Sequence, residues 1–443
     1  MSNLQDVVKS LKNSTQGEND FHQAVDDVMN DVIPFLEANP EYNQNNVIER
    51  LLVPDRVIQF RVTWMDGDGN INVNNGWRVQ YNNAIGPYKG GLRFHPSVKL
   101  DTFKFLGFEQ TFKNALTSLP MGGGKGGSDF DPSGRSDEDI YRFCTAFMME
   151  LYKYIGPDID VPAGDINVGA REIGYLFGAY KQLTSQFHGV ITGKGPAFGG
   201  SLLRPEATGF GAVYFLNHIL EENGDDIKKM RCAISGAGNV ALHAAMKLIE
   251  LDSKVITLSD SRGCIVKEDG FTADDLEKIY DLKENQGKKL RDLDVKGIEY
   301  KDATEPWAHD CDVAFPCATQ NEIDEKEAKT IKAGGAKYIC EGANMPLTSD
   351  ATEYLVEQGV IIAPAKAANA GGVAVSGLEQ TQNSMRKYWS TEEVDVALKG
   401  IMKNIFKTCK DNGEENGKIS YIKGANIGGF KKVASAMKAF GTY

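Results

Sequence analysis

From residue 21 the stretch "FHQAVDDVMNDVIPFLEANP" repeats apolar positions at helical spacing. Phe21, Val25, Val28, Met29 and Val32 share one face, and Asn39-Pro40 ends the run. Near residue 56 the period shortens to two. "VIQFRVTWMDGDGNINVNNGWRVQYNNA" alternates on both sides of "DGDGN", which predicts two strands joined by a hairpin turn. Helical spacing returns over about 100–117, 136–155 and 167–186, with glycine-rich turns between these segments. The first portion is therefore expected to be α plus β.

The pattern changes near residue 200. "RPEATGFGAVYFLNHILEEN" predicts an amphipathic helix with Pro205 at its first turn. "MRCAISGAGNVALHAAMKLIELDSKVITLSDSRG" then reads strand, glycine turn, helix, strand, a βαβ unit. Short apolar runs in "CDVAFPCA", "AKYICEGA" and "VIIAPAKA" alternate with helical segments, as a doubly wound parallel sheet requires. From about 378 the chain is helical and polar. The expected fold class is α/β, an N-terminal α+β domain followed by a Rossmann-type dinucleotide-binding domain.

A chain of 443 residues has room for two or three such cores. Its net charge of −12 argues against nucleic acid as a partner. The opening "MSNLQDVVKSLKNS" lacks an apolar core, and no continuous apolar run approaches the length of a membrane span, so neither a signal peptide nor a membrane anchor is expected. The seven cysteines form no CxxC pair, which reads as reduced thiols in a cytoplasmic protein. The six histidines show no HExxH or clustered spacing, and no metal site is expected.

Two stretches carry candidate chemistry. In the first, Gly236-x-Gly238-x-x-Ala241 follows an apolar strand and opens an amphipathic helix, and Asp260 ends the next strand. The first glycine suits the tight turn and the second lets backbone approach a pyrophosphate at the helix N-terminus. An acidic residue at this strand end normally accepts from the ribose 2′-hydroxyl of NAD. Here Ser261 and Arg262 stand beside it, and arginine suits a 2′-phosphate. The residues alone leave NAD and NADP both open.

The second is "PMGGGKGG", residues 120–127. A phosphate-binding P-loop needs Gly, four residues, then Gly-Lys-Ser/Thr. Leu119 precedes Gly124 by five, and Gly126 follows Lys125, so that reading fails at both ends. Lys89, in "GPYKGGLRFHP", is likewise followed by glycines. Lys113 lies three residues after Gln110, close enough on a helix to share a ligand. Asp165 follows Gly164 in "VPAGDINVGAREIG". Lysines converging on one cleft would depress one another's pKa, and one could then act as a base near neutrality while the others hold a dicarboxylate.

Together "KGGLRFHPSV", "FEQTFKNALTSLPMGGGKGGSDFDP", "PAGDINVGAREIGYLFGAYK", "RPEATGFGAV", "SGAGNVA", "CEGANMP" and "NAGGVAVSGLEQTQNS" resemble the hexameric glutamate dehydrogenases over nearly the whole chain. The resemblance implies that Lys89 binds the substrate side-chain carboxylate with Ser376 assisting, and that Lys113 and Gln110 bind the α-carboxylate. It implies that Lys125 activates water and that Asp165 exchanges protons with the amine. Thr208 and Asn239 match nicotinamide or pyrophosphate contacts, and Asn344 and Asn369 sit in motifs lining the cleft, where Gly236 and Gly238 form the turn. The reaction implied interconverts L-glutamate with 2-oxoglutarate and ammonium.

Ser259-Asp260-Ser261 with Lys283 downstream is similar to the NADP-using bacterial-type members. Ser261, Arg262 and Lys283 would then hold the 2′-phosphate, leaving NAD as the second choice. The resemblance also implies a homohexamer and a cleft that closes on substrate. Its domains are a substrate-binding and oligomerisation domain (1–200), a dinucleotide domain (201–423) and a helical tail (424–443) returning to the first. Sister enzymes acting on leucine, phenylalanine or valine carry apolar groups where Lys89 and Ser376 stand, so this pair argues for glutamate.

Overall fold

The alternating stretch after residue 56 forms two antiparallel strands, β1 (Arg56–Met65) and β2 (Ile71–Asn82), paired from Arg56↔Gln80 to Met65↔Ile71. They belong to a computed structural model that describes residues 4–442, the side chain of Glu284 excepted. The chain divides into two units. One contains Met1–Arg204, Val373–Val394 and Asn426–Tyr443; the other contains Pro205–Gly372 and Asp395–Ala425.

In the first unit β3 (Tyr88–Phe94), β4 (Gly123–Ser128) and β5 (Asp160–Gly164) join the hairpin in a sheet of order β1-β2-β4-β3-β5. β4 runs antiparallel to β2, while β3 lies parallel to both β4 and β5. The glycine-rich stretch around Lys125 is thus a buried central strand rather than a turn or loop. Close packing of backbone demands its composition. A Cβ on Gly123 would lie 1.9 Å from Thr111 Oγ1, and one on Gly90 of β3 would lie 1.7 Å from the Gly124 carbonyl oxygen.

The Leu100–Leu116 helix packs on β2 and β4, and the Asp137–Leu151 helix packs on β1 and on the Ala170–Thr184 helix. Trp64, Phe94, Phe130, Phe143 and Phe147 centre a buried aromatic cluster, in which Phe130 and Phe143 stack 3.8 Å apart. Phe21, Val25, Val28, Met29 and Val32 of the Asn19–Ala38 helix are all buried, on the face their spacing predicts.

The expected domain limits need one correction. Val373–Val394 lies in the first unit, not in a continuous 201–423 domain. Polar side chains on the Gly371–Met385 helix account for this, because Glu379, Gln382 and Asn383 hydrogen-bond to Gly193, Ser201 and Gly199. Asn426–Tyr443 also belongs to the first unit, where Asn426 donates to Asp31 at 2.7 Å.

The second unit holds a seven-stranded sheet. Its strands are β6 (Arg231–Ile234), β7 (Lys254–Asp260), β8 (Gly263–Val266), β9 (Glu299–Asp302), β10 (Val313–Phe315), β11 (Tyr338–Cys340) and β12 (Ile361–Ala363), in the order β12-β11-β10-β6-β7-β8-β9. The five strands from β12 to β7 are parallel, whereas β8 and β9 are antiparallel additions at one edge. The parallel sheet expected from the sequence is present, and it gains an antiparallel edge because the two-residue turn after Asp260 sends the chain straight back along β7. The Ala207–Glu222 helix, expected to be amphipathic, is buried on most of its surface. No helix among the described residues is long and apolar enough to cross a membrane.

Candidate functional site

In the first unit the adjacent strands β3, β4 and β5 bring Lys89, Lys125 and Asp165 together. Lys89 is on β3 and Lys125 on β4, and Asp165 directly follows β5. The absence of side chains on neighbouring glycines makes room for them: a Cβ on Gly91 would meet the Asp165 Cβ at 2.7 Å. Beneath them Arg78 of β2 binds Asp160 at 2.5 and 2.9 Å with both side chains fully buried, and donates to the Gly90 carbonyl at 3.0 Å. This pair fixes the spacing of three strands under the site.

Lys125, 5 % exposed, donates from Nζ to Asp165 Oδ1 at 3.0 Å. The second Asp165 oxygen accepts from Arg93 Nε at 2.6 Å. Burial lowers the Lys125 pKa, Asp165 opposes that, and Arg93 and Arg78 add to it. Burial raises the Asp165 carboxyl, but Lys125 and Arg93 outweigh it and hold it well below the usual carboxylate range. The pair sets a lysine whose pKa burial lowers against a carboxylate held below its ordinary range by two cations.

Lys89 is 1 % exposed, and its Nζ donates to Thr192 Oγ1 at 2.8 Å. Thr192 Oγ1 in turn shares a short hydrogen bond with Ser376 Oγ. No carboxylate of the described residues lies within ion-pair distance of Lys89 Nζ. Burial pushes this lysine well below its ordinary pKa; Arg204, Arg78 and Lys194 push the same way, and Glu379 opposes them. The depressing neighbours are thus mainly arginines, where the sequence had pointed to the lysines acting on one another.

Gln110 lies over Gly90, 3.2 Å from where a Cβ would stand, and donates to Asn114 at 2.7 Å. Asn114 donates to the Lys89 carbonyl at 3.1 Å. Lys113 is half-buried on the same helix, one turn beyond Gln110. Sequence reasoning passed over Arg78, Arg93, Thr192, Lys194, Arg204 and Glu379. Arg204 has a buried Nε without a hydrogen-bond partner. Of these, only Glu379 carried a usable signal, one helical turn after Ser376.

The second unit holds the dinucleotide candidates. Gly236, two residues past the end of β6, lies in the left-handed region (φ +81°), which favours glycine, and Gly238 caps the Asn239–Glu250 helix in an extended conformation. Nothing lies within 4 Å of a Cβ built on Gly238, so the approach to this helix N-terminus is open. Asn239 donates to the Pro205 carbonyl at 2.7 Å, and Thr208 is in the first turn of the Ala207–Glu222 helix. Asn369 donates to the Gly342 and Ala343 carbonyls and to Asn344 Oδ1, while its own Oδ1 is buried without a partner. The glycine turn, the open helix end and this unmet acceptor fit a dinucleotide carrying a carboxamide.

Around the end of β7, Asp260 Oδ1 accepts the Arg262 backbone N–H at 3.0 Å, and Oδ2 accepts that of Leu290 at 3.1 Å. Ser261 and Arg262 are exposed, and Lys283 is half-buried in the turn Asp281–Asn285.

Comparison with known proteins agrees with both halves. Residues 54–182 match the family described as Glu/Leu/Phe/Val dehydrogenase, dimerisation domain, and residues 199–441 match Glutamate/Leucine/Phenylalanine/Valine dehydrogenase. The chain is 53 % identical to a glutamate dehydrogenase of Bacteroides thetaiotaomicron over 441 residues, 99 % of each chain. It is 52 % identical to the NADP-specific glutamate dehydrogenase of Escherichia coli over 439 residues, 99 % of this chain and 98 % of that one. The solved structure of Plasmodium falciparum glutamate dehydrogenase superposes with a TM-score of 0.97 at 48 % identity, covering 99 % of this chain and 94 % of the other.

Proposed function

This chain belongs to the bacterial-type glutamate dehydrogenases of the Glu/Leu/Phe/Val dehydrogenase family, and we propose that it interconverts L-glutamate, water and NADP⁺ with 2-oxoglutarate, ammonium, NADPH and a proton. The observation that carries the choice of substrate is Lys89. A fully buried lysine whose Nζ meets only a hydroxyl calls for an anion from outside the chain. The side-chain carboxylate of glutamate supplies it, whereas a neutral amino acid would leave the charge unmet. Ser376, joined to Lys89 through Thr192, shares that carboxylate. Lys113 and Gln110 take the α-carboxylate.

The chain's own residues then carry the proton chemistry. Bound NADP⁺ supplies the two-electron acceptor for oxidation at Cα, which leaves an iminium on the substrate. Lys125, its pKa lowered by burial, takes a proton from water as the oxygen adds to the iminium carbon. Asp165, oriented by Arg93 on one oxygen and Lys125 on the other, passes protons to and from the nitrogen as ammonia leaves. The residues for the cofactor are Gly236, Gly238 and Asn239 toward the pyrophosphate, Thr208, Asn344 and Asn369 toward the nicotinamide, and Ser261, Arg262 and Lys283 toward the 2′-phosphate. NADP is the cofactor of the 52 % identical Escherichia coli relative, which supports the same choice here.

The match of residues 54–182 to a dimerisation domain supports self-association through the first unit, and we assign the assembly as a homohexamer working in the cytoplasm. The test is a pair of initial rates with 2-oxoglutarate and ammonium, one with NADPH and one with NADH, followed by cofactor absorbance. A large NADPH preference is expected. Folded protein inactive with both cofactors would overturn the assignment, and an NADH preference would overturn the cofactor.

A further inference from the structure

Asp260 occupies the strand-end position at which a carboxylate ordinarily reads a ribose 2′-hydroxyl, and a carboxylate there opposes a 2′-phosphate. Its hydrogen bonds point elsewhere. One oxygen accepts the Arg262 backbone N–H across the tight turn after β7. The other accepts the N–H of Leu290, thirty residues on, at 3.1 Å. Two backbone amides thus disperse part of the negative charge, and the second bond fastens a separate segment to the end of β7.

That segment is strongly basic. "KKLR", residues 288–291, carries three cations in four positions. Leu290 is fully buried and anchors the turn Leu290–Asp292, while Lys288, Lys289 and Arg291 are exposed around it. The turn packs on β8 and β9, and Lys289 N–H is capped by Asp292 at 3.1 Å, which fixes its course. Asp260 and Arg291 act on the same phenol: burial raises the Tyr300 pKa, Asp302 and Asp260 add to this, and Arg291 opposes it. Arg291 thus acts on the same group as Asp260, and the Leu290 amide ties its turn to the end of β7, where Ser261 and Arg262 follow.

We propose that Asp260 is a positioning residue for recognition of the cofactor 2′-phosphate, fastening the Lys288–Arg291 turn beside Ser261 and Arg262 rather than reading the ribose itself. The inference rests on the NADP reading given above. It reverses the usual sign of an acidic residue at this place: the carboxylate favours the phosphorylated cofactor because it holds the cations that bind it.

The test is calorimetric titration with two cofactor fragments, 2′,5′-ADP and 5′-AMP, which needs no turnover. The wild-type protein is expected to prefer 2′,5′-ADP. In Asp260→Ala that preference should fall by about tenfold. In a Lys288→Ala/Lys289→Ala/Arg291→Ala background the same change should cost little more, since the cations it positions are already gone. Taking the ratio of two ligands on one preparation removes any loss of folded protein. An unchanged preference in Asp260→Ala overturns the proposal. So does an increased one, the mark of a ribose-reading carboxylate, and so does an undiminished effect in the background without the three cations. A wild-type protein that favours 5′-AMP strikes the NADP reading itself and the proposal with it, an outcome seen before any variant is made.

Discussion

Lys194 and Glu379 face each other at 2.8 Å with both side chains fully buried. Glu379 also accepts the Gly193 backbone N–H at 2.9 Å, and it stands one helical turn after Ser376. Both residues of that helix therefore grip the segment containing Thr192, the hydroxyl between Lys89 and Ser376. Burial lowers the Lys194 pKa and Glu379 opposes the shift, so the lysine's charge depends on its partner.

Removing one partner of such a pair strands the other. Glu379→Gln should lower the unfolding free energy by about 3–5 kcal/mol, read from urea denaturation. Replacing both, as Lys194→Met with Glu379→Leu, should recover most of that loss because no charge remains orphaned. A double variant as unstable as the single one would show that the hydrogen bonds to the Gly193–Lys194 backbone, and not the ion pair, hold the segment.

The Lys125–Asp165 contact makes a statement about pH. A base must be unprotonated, and burial places Lys125 below the ordinary lysine value of about 10.4. The kcat/KM for glutamate oxidation should therefore rise with pH along a limb centred below that value. Lys125→Ala should remove the limb and lower kcat by at least about 100-fold, while 2′,5′-ADP still binds by calorimetry. A variant that retains both the rate and the limb would take Lys125 out of the mechanism.

Lys89 has a second signature, in stability. Its pKa is depressed in the folded state, chiefly by burial and then by Arg204. Between that folded value and about 10.4 the unfolded chain binds more protons than the folded one, so stability should rise with pH across this window. Below the folded value both states are protonated and the contribution is constant. Lys89→Met should flatten the alkaline rise in urea midpoint and cut kcat/KM for glutamate by about 100-fold or more. Adding Ser376→Val should trade glutamate for a neutral amino acid such as leucine. Undiminished glutamate turnover in the double variant would contradict the assignment of Lys89 and Ser376 to the side-chain carboxylate.

Much of this was legible in the chain because the signals were local. A charged residue among glycines, as at Lys89 and Lys125, marks backbone brought close around a side chain, and the Gly236 turn announces itself between strand and helix. What stayed hidden depends on distant pairing. Arg93 reaches Asp165 only because β3 lies beside β5, and Glu379 reaches Gly193 only because Val373–Val394 returns to the first unit. β3 and β4 escaped the periodicity reading since "KGG" and "GGKGG" carry no alternating apolar side chains. The tie of Asp260 to Leu290 likewise spans thirty residues and leaves no local mark.

Glycine supplies the last prediction, since the same substitution should act in opposite directions at two positions. Gly123 lies in β4, and an added methyl would meet Thr111 Oγ1 at 1.9 Å and Thr111 backbone Cα at 2.8 Å, in a strand fixed on both sides. Gly123→Ala must push β4 away from the Leu100–Leu116 helix that carries Gln110 and Lys113. It should therefore lose more than about 2 kcal/mol of stability along with the substrate site. Gly400 lies within the Thr391–Gly413 helix with nothing inside 4 Å of its added Cβ. There the change only restricts the unfolded chain and improves helix propensity, and stability should rise by about 0.5–1 kcal/mol with the kinetics unchanged. Thermal or urea denaturation of the two variants side by side decides the matter. A Gly123→Ala protein as stable and active as the wild type would mean that β4 tolerates side chains, and that its glycines do not set the approach of backbone around Lys125.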